Sequence, residues 1–167
     1  MKKMAQYLGE LLKKTIRKEG PQLRAIPETT AATRSGTSEG WSRKQELGHL
    51  IDSATNNRVR FIVAALDRNY EGPTYDGRGW VDLGGYSDTR WTDLVELWTR
   101  LNEALARTIE RIPDDRLSTQ CIINKGGPVS LEFLVEDYVL HMQHHLDHIL
   151  DRERQTAYPG AFREVPL

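Results

Sequence analysis

The sequence predicts an all-α fold, a four-helix bundle with up-down helices and long connecting loops, and three observations carry that prediction. Four segments of bundle length place apolar residues at three- and four-residue spacing. Capping residues or Gly and Pro stops bound these segments. Two or three long connections join them, as in bundles with crossover loops. A chain of 167 residues has the length of one domain and buries enough surface to need no staple. A single domain over 1–167 is therefore expected, with its core at 41–150 and a C-terminal tail at 153–167.

The first helix is expected at 3–19, where Met4, Leu8, Leu11, Leu12 and Ile16 share a face and Gly20-Pro21 supplies the stop. Residues 21–41, rich in Pro, Thr, Ser and Gly, read as a connection with one helical turn after Pro27. Ser42 and Gln45 form a capping box, each end satisfying one orphan amide of a helix start. The second helix then runs over 43–69 on Leu47, Leu50, Ile51, Ala54, Phe61 and Ala65. Residues 70–90, Gly-rich with one Pro, are excluded from regular helix. A connection of that length reads either as a functional lid or as a loop packed by its own Tyr75, Trp80 and Tyr86.

Asp88 or Thr89 is the expected cap of a third helix at 90–112, striped by Leu94, Leu97, Trp98, Leu101, Leu105, Ile109 and Ile112 and stopped by Pro113. The run Cys121-Ile122-Ile123 ahead of Lys125-Gly126-Gly127-Pro128 suits a small hairpin. Ser130 caps a fourth helix at 130–152, and a polar tail with Pro159 and Pro166 follows. The apolar surplus on the first and third helices is the expected surface of a homodimer.

Composition narrows the function classes. A formal charge of −1 without a one-signed block argues against a nucleic-acid partner. No apolar run approaches the ~18 residues of a membrane span. Charged residues follow Met1-Lys2-Lys3 where a signal peptide would have its apolar region, so a cytoplasmic location is expected. The lone Cys121 allows no internal disulfide and lacks a local activating pattern, so it is not a candidate nucleophile.

All five histidines fall in the second and fourth helices: His49, then His141, His144, His145 and His148. At ~100° per residue, His145 lies about 40° from His141 and within the apolar arc of the fourth helix, with His141 at its edge. His148 lies about 20° beyond His141, and His144 falls well off the arc. The i, i+4 pair His141 and His145 thus faces the bundle interior, where two imidazoles can reach one ion at ~2.0–2.1 Å. On the second helix His49, Ser53, Asn56 and Arg60 form a narrow polar stripe, more like a cleft wall than a solvated face. By spacing alone the histidines are equally a metal site or a pH-sensitive surface.

Trp41-Ser42 and Glu46 through Ser53, then Asn56 and Arg60-Phe61, resemble the signature of the DinB-like superfamily in its YfiT-like branch. Tyr75-Asp76-Gly77, Gly79-Trp80-Val81 and Gly85-Tyr86 resemble a loop of some members, and His141 through Ile149 is similar to the family's ending. The resemblance implies a four-helix bundle holding a divalent metal, commonly zinc or nickel, on the positions of His49, His141 and His145. It implies a metal-dependent hydrolase acting on a small molecule, or alternatively a thiol S-transferase using a low-molecular-weight thiol such as bacillithiol, mycothiol or glutathione.

Three nitrogens leave coordination positions open, as in catalytic rather than structural zinc sites. Asp137, one turn before His141, is a candidate to orient it or else a solvated carboxylate. Arg60 is a candidate clamp for an anionic substrate group, or the partner of an acidic neighbour, and Asn56 shares its stripe. Glu46 and Asp52 each stand about 60° from the His49 direction and are set aside as general bases. A non-catalytic metal-binding or stress-response interaction module remains the other function class.

Overall fold

In the computed structural model, which describes residues 3–36, 40–156 and 158, two of the four long helices begin on the caps that the sequence predicts. Helix α1 spans Met4–Arg24, a turn past its expected stop. Pro21 lies inside it, and a proline removes one helical hydrogen bond. The last turn is held from outside, because Leu23 is fully buried and its carbonyl accepts Trp91 Nε1 at 2.7 Å. A single turn, α2 at Glu28–Ala31, follows Pro27 as expected.

The capping box starts α3 at Arg43–Asp67: Gln45 N donates to Ser42 Oγ at 3.3 Å, and Ser42 N donates to Gln45 Oε1 at 2.9 Å. Arg68, at φ 65°, ends it in the left-handed conformation. Ser130 Oγ likewise accepts Phe133 N at 3.1 Å and starts the last helix, labelled α6 below.

Residues 70–90 correct the expectation that they hold no regular helix. Strand β1 covers Asn69–Gly72 and helix α4 covers Gly77–Gly84. Asp76 caps α4 through Gly79 N at 3.0 Å, and Val81 is buried at 2% exposure, so a cap and a docked side chain offset the glycine entropy. Gly85, at φ 63°, ends α4 and leads into a 3₁₀ turn at Tyr86–Asp88. Helix α5 then runs Trp91–Ile109, and neither Asp88 nor Thr89 caps it. Its first free amide is satisfied by another helix, since Trp91 N donates to Glu28 Oε2 at 2.8 Å.

Strands β2 (Gln120–Ile123) and β3 (Val129–Ser130) form the expected hairpin, with Cys121 opposite Val129. Strand β1 adds in parallel, Asn69 beside Gln120, and helix α6 (Leu131–Ile149) leaves β3 directly. The short sheet ties the end of α3 to the start of α6.

Helices α1, α3, α5 and α6 surround one apolar core that includes Leu12, Leu50, Phe61, Trp98, Leu105 and Met142. Helix α1 packs on α5 and α6, and α3 packs on the same two, so α1 and α3 are diagonal. Antiparallel neighbours were expected, and this holds for two pairs. Ala5 N donates to Asp114 Oδ1 beyond the end of α5, and Arg43 Nε donates to the Ile149 carbonyl at the end of α6. The other two pairs run parallel: Lys44 near the start of α3 donates to the Ser87 carbonyl just before α5, and Gln143 donates to Thr15. The cause is the 68–90 connection, which is long enough to carry the chain back to the end where α3 began.

The stripes of α1 and α5 that suggested a dimer face are used largely on each other, leaving Met4, Tyr7 and Leu97 partly exposed. Among the described residues no helix is long and apolar enough to cross a membrane. The expected tail at 153–167 is described only at 153–156 and 158, so Pro159 and Pro166 lie outside the described residues.

Candidate functional site

Because α3 and α6 run antiparallel, the second turn of α3 faces the last turns of α6, and His49 meets His141 and His145. His141 Nε2 lies 3.3 Å from His49 Nε2 and 3.1 Å from His145 Nε2. The donor atoms of all three lie within 4.8 Å of one another. Donors on bonds of ~2.0–2.1 Å at tetrahedral angles stand roughly 3.3–3.4 Å apart, so these three could hold one divalent ion with little movement.

Protonation is arranged for ligation. Burial lowers the His49 pKa to about 4, against the pull of Glu46. Burial, and then the neighbouring His145, His49 and His144, hold His141 well below the usual imidazole value. Neutral rings keep a lone pair for a ligand. His145 is oriented from behind: its Nδ1–H donates to Glu46 Oε2 at 2.6 Å, which leaves Nε2 as the acceptor facing His141. The Nδ1 of His49 has no hydrogen-bond partner among the described residues.

The histidines form one end of a cavity of about 600 Å³ between α3 and α6. Trp41 closes on His49, with ring centroids 5.1 Å apart, and Gly77 of α4 lies against the same imidazole. Of the three aromatic residues expected to pack the 70–90 segment on itself, Tyr75 and Trp80 do so, whereas Tyr86 reaches Asp52 of α3. Tyr75 and Trp80 pack on each other at 5.3 Å, while Tyr75, Gly77 and Arg78 wall the cavity.

Of the predicted residues, Arg60 lines the cavity, donates Nη2 to the Pro73 carbonyl at 3.0 Å and lies over the Tyr75 ring. Asn57 lines it in place of Asn56, whose amide instead donates to the Asp52 carbonyl at 2.9 Å. The two positions flank one stripe, and the side on which α6 packs decides between them. Asp137 also lines the cavity, but its hydrogen bond comes from the Tyr158 hydroxyl rather than from His141. Burial raises its pKa to about 6, a tendency that this bond opposes.

His148 lies where expected, near the three histidines, with Nδ1 3.9 Å from Glu46 Oε1. His144 stays outside the convergent three but does not face away into solvent: it is buried and lines the cavity. The cause is the chain after α6, which folds back so that Tyr158 stacks on His144 at 5.7 Å and meets His141 at 5.8 Å. Asp147 anchors that return, accepting Arg152 Nε at 2.7 Å and Gln155 N at 2.9 Å. Cys121 is buried in β2 and burial pushes its thiol up to about 11, as befits an unreactive core residue.

Three contributors escaped the sequence reading. Glu46 was set aside as a base, although its place three residues before His49 puts it on a neighbouring ridge of the same helix. Trp41 stood out only through the family resemblance. Tyr158, in a polar tail, carried no signal at all.

The family model described as the DinB superfamily matches residues 12–149. The chain is 28% identical over 116 residues to the "Putative metal-dependent hydrolase OB0782" of Oceanobacillus iheyensis, covering 67% of this chain and 64% of that protein. It is 27% identical over 129 residues to the "Putative metal-dependent hydrolase YfiT" of Bacillus subtilis, covering 71% of this chain and 67% of that one. The match thus spans less than two thirds of the Oceanobacillus relative. The solved structure of YfiT, titled "a probable metal-dependent hydrolase with an unusual four-helix bundle topology", superposes with a TM-score of 0.76 at 20% identity, covering 87% of this chain and 83% of that one. A mycothiol-dependent maleylpyruvate isomerase superposes with a TM-score of 0.72 at 15% identity, covering 87% of this chain and 60% of that one. At these identities the superpositions speak for the fold, and the match over residues 12–149 speaks for the family: this chain belongs to the DinB superfamily.

Proposed function

We propose that the chain is a metal-dependent enzyme, a hydrolase of a small-molecule substrate, with a divalent ion held by His49, His141 and His145. The observation that carries this reading is the convergence of three imidazoles, two of them held neutral by burial and the third oriented by Glu46, at the end of a cavity. When bound, such an ion supplies Lewis acidity and lowers the pKa of a coordinated water or thiol. An imidazole set suits zinc and nickel, and zinc or nickel is the proposed metal. The relatives named as metal-dependent hydrolases support the same reading.

The protein's own groups have definite work in this scheme. Glu46 fixes the tautomer and orientation of His145. Trp41 and the Tyr75–Gly77 wall limit water around His49. Asp137, with its carboxyl pKa near neutrality and the Tyr158 hydroxyl bonded to it, can accept or return a proton at the cavity wall.

A second reading is a metal-dependent S-transferase that uses a low-molecular-weight thiol. It is favoured by the guanidinium groups of Arg60 and Arg78 in the cavity wall and by the fold shared with a mycothiol-dependent isomerase.

Metal analysis of the purified protein tests the common premise. About one equivalent of zinc or nickel is expected, lost in each of His49→Ala, His141→Ala and His145→Ala. Failure of zinc- or nickel-supplemented protein to bind either ion would remove both enzyme readings. Turnover of ester and amide panels without thiol supports hydrolysis, and turnover only with thiol supports transfer. Stoichiometric metal without turnover of any substrate supports a non-catalytic module.

A further inference from the structure

The cavity has two chemically different ends. His49, His141, His145 and Glu46 form one, and Arg60 stands at the other, with Ser53 and Asn57 between them along α3. Arg60 follows His49 by eleven residues, which at ~100° per residue returns it to within about 20° of the same face. The rise of ~1.5 Å per residue sets their backbones roughly 16 Å apart. Helical side chains lean towards the N-terminus, so the guanidinium reaches part of the way back towards the histidines.

That guanidinium is held but not neutralised. Nη2 donates to the Pro73 carbonyl at 3.0 Å, and the group lies 5.9 Å from the centroid of the Tyr75 ring. The Tyr75 hydroxyl is in turn bonded to Ser53. No carboxylate lies within ion-pair distance of Arg60 among the described residues. By contrast, Arg152 of the same molecule binds Glu19 through two nitrogens, both at 3.0 Å. A guanidinium has five N–H donors, and the Pro73 carbonyl takes one. Arg78 adds a second guanidinium on the wall, 6.0 Å from the centroid of the Trp41 ring.

We propose that Arg60 anchors a carboxylate at the far end of an elongated substrate whose reacting group sits at the three histidines. The second half of that statement rests on the function proposed above. Between the two ends the wall is formed by Ser53 and Asn57, whose amide donates to Ser53, and by Leu134 and Ile123. A carboxylate is favoured over a phosphate because it matches the planar fork of one guanidinium, and the second guanidinium, Arg78, stands over Trp41 beside the histidines rather than beside Arg60.

Isothermal titration calorimetry with two thiols of equal length tests the pairing of the ends. Mercaptooctanoate should bind zinc-loaded protein at least tenfold more tightly than mercaptooctanol, the range of one charge-assisted hydrogen bond. Mercaptoacetate, too short to span the cavity, should show no such gain over mercaptoethanol. Arg60→Gln should erase the advantage of mercaptooctanoate and leave the affinity for mercaptooctanol unchanged, and Arg60→Lys should keep part of it and serves if the glutamine variant does not fold. Equal affinity of wild type and Arg60→Gln for mercaptooctanoate would overturn the anchor, as would tighter binding of mercaptooctylphosphonate than of mercaptooctanoate. Octanoate titrated into metal-free protein reads the anchor alone and should weaken at least tenfold in Arg60→Gln. An octanoate affinity that does not change overturns the anchor even if the histidine site holds. Thiol binding that is indifferent to zinc, with octanoate still dependent on Arg60, overturns the metal reading and keeps the anchor.

Discussion

Glu46 Oε2 stands 2.6 Å from Nδ1 of His145 across the α3–α6 interface, and the carboxylate is almost wholly buried. One contact therefore sets the tautomer of His145 and joins the two helices that carry the histidines. A partner of this kind typically contributes 10–100-fold to metal affinity. Glu46→Gln should weaken zinc binding by about that factor in a competition titration with a chromophoric chelator. An unchanged affinity would mean that Glu46 has only a packing role.

The three convergent histidines should be separable from the other two. His49→Ala, His141→Ala and His145→Ala are each expected to abolish stoichiometric metal, whereas His144→Ala should retain it, because His144 lies against Tyr158 and His148 outside the convergent set. Metal content of folded variants, checked by circular dichroism, decides the matter. Retention by any of the first three, or loss in His144→Ala, would redraw the site.

Acid should destabilise the metal-free protein through the same rings. The unfolded imidazole takes up its proton near 6.5, while folded His49 resists protonation down to about 4 and His141 is shifted in the same direction. Between those values the unfolded state holds more protons, so stability rises with pH through that window. Urea denaturation of chelator-treated protein should give a lower midpoint at about pH 5 than at about pH 7.5. Asp137, whose carboxyl pKa burial raises to about 6, pulls the opposite way, so the comparison is made in an Asp137→Asn background, where equal midpoints would falsify the claim that these rings are buried in the neutral form.

Gly48 is a packing constraint beside the site. A Cβ built there would lie 2.0 Å from the Tyr86 ring, whose hydroxyl donates to Asp52 at 2.5 Å. Gly48→Ala must displace that ring and leave a buried carboxylate without its donor. A loss of about 1–3 kcal/mol is expected, the range for overpacking. Once Tyr86→Ala has removed the ring, adding Gly48→Ala should cost far less than it does in the wild type, and denaturant titration of the two single variants and the double variant measures the difference.

The chain after α6 should depend on one ion-paired cluster. Arg152 binds Glu19 and Asp147, both nearly fully buried, and Asp147 also holds the amides of Gln155 and Thr156. Arg152→Ala takes the guanidinium from two buried carboxylates, leaving Glu19 to Lys18 and Gln22 and Asp147 to the two amides, so a loss of up to about 3–5 kcal/mol, the range for breaking a buried pair, is expected. Limited proteolysis should cut the variant after residue 152 faster than the wild type. Equal cleavage rates would show that the cluster does not hold this segment.

Sequence by itself determined the four long helices, the capping box at Ser42 and Gln45, and the shared direction of His141 and His145. All of these depend on hydrogen bonds and side-chain periods within a few residues, so local spacing reports them. Tertiary structure alone decided which helices are neighbours, that β1 pairs with a strand some fifty residues away, and that Glu28 rather than Asp88 or Thr89 satisfies the start of α5. It also decided that Asn57 and not Asn56 faces the cavity, that Asp137 meets Tyr158 rather than His141, and that the tail buries His144. A helical period gives the angle of a side chain about its own axis. It carries nothing about which distant segment packs against that angle, because closing a long loop is decided by the surfaces that meet and only weakly by the residues between them.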